Sequence, residues 1–275
     1  MNISGSIDTF IGDQKLYWRF DRWLREIGRS QGFFFRNKRG LAPPGRTLIF
    51  CTSYINDVMR YKRWIDYFYP KLDAYGAENL FLINDGPDNI DFDSRLSCIQ
   101  AAAMPCILPS SLNIIAFEER LGRPARFSYP GWWRSFTFSV RIARQYGFKK
   151  IIHIESDAYV LSQRLTNYIR CINCGWTVLW SPTYRFPETA VQIICEDAFP
   201  AIERIASMGS ACFRELNRPA EYLLPFDKVE SRFHGDRCGV IDRNTSLQGY
   251  DYLAQVPTSW SVVQQMTRLS KSIHV

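Results

Sequence analysis

The amino-acid sequence predicts an α/β fold: a mostly parallel central sheet flanked by helices, with a smaller subregion on one side. Short apolar runs alternate with segments of helical spacing, and the connections between runs are a dozen residues or longer, as parallel strands require. The composition is that of an ordinary folded chain, with 46% hydrophobic and 22% charged residues among 275. These values exclude disordered, collagenous and coiled-coil classes.

The first strand is predicted at residues 47–52, after a Pro-Pro pair between two glycines that ends any preceding helix. Asn56 or Asp57 can cap the next segment, which is predicted to be a helix. Its apolar face is formed by Met59, Trp64, Ile65, Phe68 and Leu72. A second strand at 80–83 runs into the turn sequence Asn-Asp-Gly-Pro.

A third short strand is predicted at 106–108, and a long helix over about 131–146 that Gly147 stops. The helix leads into a strand at 150–154. Because ligands bind at the carboxyl ends of the strands in such sheets, polar residues that directly follow apolar runs are candidate site residues. They lie at 52–54, 84–85 and 155–157.

Several common sites are excluded by the absence of their motifs. No G-x-G-x-x-G, no G-x-x-x-x-G-K-[ST] and no G-x-S-x-G is present, which disfavours a dinucleotide site, a P-loop and a serine hydrolase. The eight cysteines lie mostly in apolar strings and are predicted to be buried thiols in a reducing compartment. Cys171 and Cys174 form the one close pair, without the second pair that structural zinc needs.

The net charge of +7 is concentrated near the amino terminus, where residues 15–46 hold nine cations and two acids. This concentration argues against a nucleic-acid partner, whose binding face would spread over a domain. Residues 1–45 are predicted to contain a basic amphipathic helix. It either packs on the main domain, which we favour, or contacts an anionic membrane surface through residues 15–46. No apolar run is long enough for a membrane span or a signal peptide, so we expect an intracellular protein.

The sequence Glu155-Ser156-Asp157 follows the predicted strand at 150–154. Two carboxylates one residue apart point to the same side and can hold a divalent ion, with a bound diphosphate filling the remaining positions. The triplet resembles the metal-binding Asp-x-Asp motif of GT-A glycosyltransferases, although Glu155 takes the place of the first aspartate. This resemblance covers about residues 46–240.

The resemblance implies a GT-A-like catalytic domain over 46–275, with a Rossmann-like nucleotide-binding half at 46–160 and an acceptor half at 161–275. It also implies Mn²⁺ or Mg²⁺, which would neutralise the departing nucleoside diphosphate. By this resemblance Asp157 is the direct metal ligand and Glu155 acts through water.

Further site residues follow from the same resemblance. Thr52 would hydrogen-bond the base, Tyr54 would stack on it, and Asp85 occupies the usual ribose- or base-binding place. Other residues assigned to the nucleotide are Arg134, Ser156 and Arg237. His234, in the sequence Phe-His-Gly-Asp-Arg, is similar to the carboxy-terminal histidine that completes the metal site in retaining members.

A glycosyl acceptor needs a carboxylate base or, in retaining enzymes, a carboxylate or leaving phosphate on the reacting face. Glu188, in a predicted aromatic loop, is one candidate. Glu196 and Asp197, at a predicted helix start, are the others. Acids at a helix start are equally what capping favours, so this choice stays open.

The predicted function is transfer of a sugar from a nucleoside diphosphate sugar, UDP favoured, to a glycan or glycolipid acceptor. The resemblance places such a reaction in bacterial surface-polysaccharide or lipopolysaccharide assembly, in the cytoplasm or at the inner face of the membrane. The alternative is a non-catalytic, degenerate transferase-like interaction protein, which Glu155 in place of aspartate favours. A metal-dependent phosphohydrolase would need more converging ligands than three histidines provide.

Overall fold

The computed structural model describes residues 45–55, 58–87, 93–241 and 247–257. The predicted segment 1–45, apart from its last residue, and the predicted helix caps Asn56 and Asp57 lie outside these ranges. The strands of the described part are β1 Thr47–Ser53, β2 Asn79–Asn84, β3 Ser97–Gln100, β4 Leu112–Ala116, β5 Lys150–Ile154, β6 Tyr159–Val160, β7 Trp176–Ser181, β8 Phe186–Cys195, β9 Lys228–Glu230, β10 Gly235–Arg237 and β11 Tyr252–Ala254.

Within the described residues the central sheet has eight strands in the order β3-β4-β2-β1-β5-β8-β7-β9. The first five in this order are mutually parallel. Strand β8 runs antiparallel to both β5 and β7, and β9 is parallel to β7. A second, three-stranded sheet has the order β10-β11-β6. The predicted α/β class with a mostly parallel sheet is confirmed.

Helices cover both faces of the central sheet. They are α1 Val58–Phe68, α2 Leu72–Tyr75, α3 Pro130–Tyr146, α4 Gln163–Cys171, α5 Phe199–Ala206 and α6 Gly209–Glu215. Successive side chains of β1 point to opposite faces. Ile49 belongs to one buried cluster, with Trp64 of α1 and Leu165 of α4. Phe50 belongs to the other, with Phe136 of α3.

Helix α3 has the bounds that its sequence signals predict. Pro130 stands at its first turn, where no backbone N–H is needed, and Gly147 ends it in the left-handed conformation, with φ of 72°. Its buried face holds Trp133, Phe136 and Val140 among others. The chain then enters β5, so the amino-terminal end of α3 lies at the same edge of the sheet as the carboxyl end of β5.

The predicted third strand at 106–108 is wrong. Pro105 and Pro109 bracket this segment, and Ile107 is 81% exposed. Proline removes a backbone donor that a strand needs, so the sheet instead uses β4, whose five residues are all buried. Met59, predicted to lie on the apolar face of α1, is 51% exposed.

The cysteines are less buried than predicted. Cys51 and Cys195 are buried, whereas Cys98, Cys106, Cys171 and Cys174 are exposed, and none of the eight, all of which lie in the described ranges, forms a disulfide. The two buried cysteines lie in the interior strands β1 and β8, whereas Cys98 lies in the edge strand β3. Among the helices that the structure describes, none has both the length and the apolar character needed to cross a membrane.

Candidate functional site

A cleft of about 830 Å³ opens at the carboxyl ends of β1, β2 and β5. Its floor is formed by the residues that follow these strands, namely Thr52 to Tyr54, Asp85 and Glu155 to Asp157. The loop at 120–129 forms one wall, and the β7–β8 turn with residues 219–222 and Arg237 forms another. Parallel pairing of the three strands brings together three sequence segments that are far apart along the chain.

Glu155 is held by three neighbours. The Thr52 hydroxyl donates to Oε2 at 2.7 Å, and the Trp132 indole N–H donates to Oε1. His153 Nε2 lies 3.3 Å from Oε1. Burial by itself raises the pKa of Glu155, but the His153 ring and these hydrogen bonds outweigh burial and hold the pKa below its ordinary value. Glu155 is therefore an ionised anchor of the cleft floor, with both oxygens engaged by protein donors.

A buried chain of hydrogen bonds fixes the orientation of His153, as expected for a core histidine. Gln192, its cross-strand neighbour on β8, accepts from the Trp176 indole N–H at 3.0 Å. The amide nitrogen of Gln192 consequently faces His153 Nδ1 at 3.2 Å and the Thr189 carbonyl at 2.8 Å. With Nδ1 facing Gln192, Nε2 is the ring nitrogen that faces Glu155.

Asp157 lines the cleft two residues beyond Glu155. A turn closed by a bond from the Ala158 N–H to the Glu155 carbonyl, 2.9 Å long, separates the two acids. Within the described ranges, no three His, Cys, Asp or Glu side chains are grouped closely enough to hold a metal ion by themselves. A single carboxylate nevertheless suits Mg²⁺ or Mn²⁺, because such ions are often held by one or two carboxylates together with substrate phosphates.

His234 does not join this group. Its ring is exposed and packs on Tyr250 with centroids 4.2 Å apart, and it is not among the residues that line the cleft. The backbone N–H of His234 donates to Asp251 at 2.7 Å. Of the three predicted metal ligands, Asp157 reaches the cleft, Glu155 is engaged by protein donors, and His234 lies outside the cleft.

Asp85 and Arg134, both assigned to the nucleotide, are paired with each other. The Arg134 guanidinium donates to Asp85 and to the Glu119 carbonyl, and burial lowers its pKa. Asp85 also accepts from the backbone N–H of Gly122 at 2.7 Å. Arg134 does not line the cleft, whereas Asp85 does. Both residues hold the 120–129 loop against β2.

Gly131 makes this arrangement possible. A Cβ atom at Gly131 would lie 1.9 Å from Asp85 Oδ2. Helix α3 can therefore start directly beside the carboxylate only because position 131 has no side chain.

Glu188 and Arg237 meet in the opposite wall of the cleft. Arg237 Nε donates to Glu188 Oε2 at 2.7 Å, and Nη2 donates to Glu221 Oε1 at 2.7 Å. Glu188 is 1% exposed and lies in β8, not in the predicted loop. Burial raises its pKa, and Arg237 only partly offsets that effect while Glu221 adds to it. Two carboxylates thus share one guanidinium, which leaves this wall with an excess negative charge.

Glu196 and Asp197, the other predicted bases, lie at the far edge of the sheet. Strand β8 is antiparallel to β5, so Cys195 pairs with Lys150 at the start of β5 and not with its carboxyl end. At about 3.3 Å per residue, roughly 15 Å of strand separates them from the cleft floor. Glu196 pairs with Lys149 at 2.7 Å, and Asp197 accepts from the Gly175 N–H at 2.9 Å. We therefore assign neither of them to the site.

Three arginines in the cleft wall escaped the sequence analysis. Arg120, Arg123 and Arg126 all line the cleft, and in the part of the chain that the structure describes none of them forms an ion pair. The Arg120 guanidinium lies over the Tyr54 ring, 3.4 Å from its centroid. Their spacing of three residues in Glu-Arg-Leu-Gly-Arg-Pro-Ala-Arg was a visible signal.

Aromatic rings gather near Arg237, at the end of the cleft away from Tyr54. Tyr184 and Phe186 contact each other with centroids 5.5 Å apart, and Phe186 meets Tyr222 at 6.2 Å. The Arg237 guanidinium lies 4.7 Å from the Phe186 centroid. Ring faces beside carboxylates and hydroxyl-binding donors are suited to a sugar ring.

Comparisons with known proteins give structural similarity only. No protein-family model and no curated protein matches the chain. Similar solved structures include a glycosyltransferase involved in the glycosylation of the major capsid of PBCV-1, with 10% identity, TM-score 0.44 and coverage of 82% of this chain and 100% of that chain. Another is a mannosyltransferase from Pyrobaculum calidifontis in complex with GDP-Man and Mn²⁺, with 14% identity, TM-score 0.36 and coverage of 84% and 67%.

Proposed function

We propose that the protein is a metal-dependent glycosyltransferase that moves a sugar from a nucleoside diphosphate sugar to an acceptor hydroxyl. The observation that supports this most is the division of one cleft into two chemically different ends. On one side Tyr54 and Asp157 follow the parallel strands β1 and β5, with Arg120 of the loop over the Tyr54 ring; on the other, aromatic rings lie near Arg237 and Glu188 of β8.

The first end suits the nucleotide. Tyr54 offers a ring to the base, and Arg120 lies against it within reach of phosphate oxygens. Thr52 and Ser156 line the floor of the same cleft, with Thr52 oriented by its bond to Glu155. Residues 46–160 would then form the donor half and residues 161–275 the acceptor half. Asp157 would hold Mn²⁺ or Mg²⁺, which when bound neutralises charge on the leaving diphosphate.

The second end suits the acceptor. In the reaction, the bond from the anomeric carbon to the diphosphate oxygen breaks, a bond to the acceptor oxygen forms, and the acceptor proton must be taken up. Glu188 is the carboxylate of the predicted set that lines this end, and a raised pKa makes it a stronger proton acceptor than an ordinary glutamate. Arg237 orients Glu188 through its Nε and partly offsets the rise in the pKa of Glu188.

Finer assignments rest on the resemblance noted from the sequence. They are a UDP donor, a glycan or glycolipid acceptor, a role in bacterial surface-polysaccharide or lipopolysaccharide assembly, and a cytoplasmic or membrane-peripheral location. The membrane contact would involve residues 15–46, almost all of which lie outside the described residues.

The decisive experiment is calorimetric titration of UDP into the purified protein with and without Mn²⁺, followed by a panel of other nucleoside diphosphates. We expect manganese-dependent binding that D157N weakens by about tenfold or more. The matched control is D73N, because Asp73 is an exposed aspartate on α2. Equal binding by wild type and D157N would contradict the assignment of Asp157.

A second arm separates binding from transfer. In E188Q we expect nucleotide affinity to stay within about threefold and release of the nucleoside diphosphate from a bound sugar donor to fall by about 100-fold. If no nucleoside diphosphate binds the wild type, the transferase proposal fails and the non-catalytic interaction protein becomes the better explanation.

A further inference from the structure

The cleft contains two arginines that are not needed to bind the diphosphate of the proposed donor. Arg237 forms ion pairs with Glu188 and Glu221, and Asp85 forms an ion pair with Arg134. Arg120, over Tyr54, stands at the nucleotide end. Arg123 and Arg126 remain: both line the cleft, both are exposed, and neither forms an ion pair within the described ranges.

Arg123 packs on an aromatic ring of the cleft. Its guanidinium carbon lies 5.2 Å from the centroid of Tyr129, which also lines the cleft. Burial raises the pKa of Tyr129 to about 12, and the charges of Glu221, Arg123 and Arg237 also act on this phenol. Arg123 therefore lines the same cleft as Glu221 and Arg237 of the other wall.

The loop holds Arg123 and Arg126 together. Arg123 Nη2 donates to the Arg126 carbonyl at 2.6 Å, and the Arg126 guanidinium lies 5.2 Å from the Phe127 centroid. The two side chains thus belong to one loop, line the same cleft and lack an acidic partner within the described residues, so an anion in the cleft can pair with both. Arginine also presents paired N–H donors that match the geometry of a carboxylate or phosphate.

We propose that this protein acts on an acidic sugar, whose carboxylate or phosphate group binds Arg123 and Arg126. The inference rests on the proposed transferase function and names its substrate class. The sugar ring would lie against the aromatic side chains of Tyr184, Phe186 and Tyr222, while its anionic group reaches the arginine wall. The acidic group can belong to the sugar that is transferred or to the acceptor.

The test compares ligand pairs that differ only in the acidic group. The donor arm compares UDP-glucuronate with UDP-glucose, or the matching pair of whichever nucleotide binds. The acceptor arm compares methyl β-glucuronide with methyl β-glucoside, and glucose 6-phosphate with glucose, with and without bound nucleotide. Dissociation constants are measured for wild type, for R123Q/R126Q and for R204Q, whose exposed arginine on α5 serves as the matched control.

We expect the acidic member of one arm to bind about tenfold or more tightly than its neutral counterpart. This preference should disappear in R123Q/R126Q and persist in R204Q. The arm that shows the preference identifies the source of the acidic group. The proposal is overturned if neither arm shows a preference, or if the double variant retains it. If a nucleotide binds but neither arm shows an acidic preference, the acidic-sugar proposal fails and the transferase proposal stands. If no nucleotide binds, the acceptor arm measured without nucleotide still tests the acidic-sugar proposal.

Discussion

Replacing Arg237 with methionine tests the electrostatic design of the acceptor wall. Arg237 makes 2.7 Å contacts with Glu188 and with Glu221, and the side chains of these three residues are 14%, 2% and 12% exposed. A hydrogen bond to a charged group contributes about 1.5–3 kcal/mol, so two give roughly 3–6 kcal/mol. Removing one partner of a buried ion pair costs about 3–5 kcal/mol. We therefore expect R237M to lower the free energy of unfolding by about 3–5 kcal/mol near neutral pH.

The loss should depend on pH with a definite sign. The pKa of Glu188 is already raised by burial, and without Arg237 it rises further. A group whose pKa is higher in the folded state binds protons more readily there, so the penalty is full above the folded pKa and shrinks as pH falls through it. We expect the deficit of R237M to be smaller by about 1 kcal/mol or more at about pH 5.5 than at about pH 8.

Urea denaturation followed by tryptophan fluorescence measures both effects. The second substitution in R237M/E188Q removes the unpaired charge and should recover a large part of the lost stability. R204M, an exposed arginine-to-methionine change, should stay within about 0.5 kcal/mol of wild type. The reasoning is refuted if R237M costs less than about 1 kcal/mol, or if its deficit is the same at both pH values.

Two further substitutions test how the sheet edge and the cleft floor are built. G131A should destabilise the fold by about 2–4 kcal/mol, because the new Cβ would displace the Asp85 carboxylate and break its hydrogen bonds. Thermal unfolding measures this effect. The control is G239A, because a Cβ at position 239 meets nothing within 4 Å. K150A should cost about 2–4 kcal/mol, because the buried ammonium donates to three backbone carbonyls at the end of α4. K149A, which loses one exposed ion pair with Glu196, should cost less than about 1 kcal/mol in urea; equal effects in either matched pair would contradict the packing described.

Local sequence signals predicted the elements that are buried and strongly patterned. Strands β1, β2 and β5 and helix α3 lie where apolar runs, Pro130 and Gly147 indicate them. The false strand at 106–108 shows the limit of that reasoning. Three consecutive apolar residues predict a strand, but the two flanking prolines prevent the segment from pairing with a neighbouring strand.

The sequence indicates which polar residues lie at strand ends, but it does not indicate in which direction each strand pairs. Residues after β1, β2 and β5 meet because parallel strands end at one edge. Glu196 and Asp197 also follow an apolar run, but β8 is antiparallel, and its end therefore points away from the cleft. Whether a strand runs parallel or antiparallel to its neighbours depends on how distant segments pair, and a local sequence pattern does not show it.

The α/β class, the order of the main elements and the polar residues at the ends of the parallel strands can be predicted from the sequence, because periodicity and turn chemistry act within short windows. The partners of each charged group, in contrast, depend on the tertiary structure. In the folded protein Glu155 accepts hydrogen bonds from Thr52 and Trp132, and Glu188 accepts one from Arg237. Arg123 and Arg126 line the cleft. The role of a charge depends on its nearest opposite charge, and that neighbour is set by packing between segments far apart in the chain.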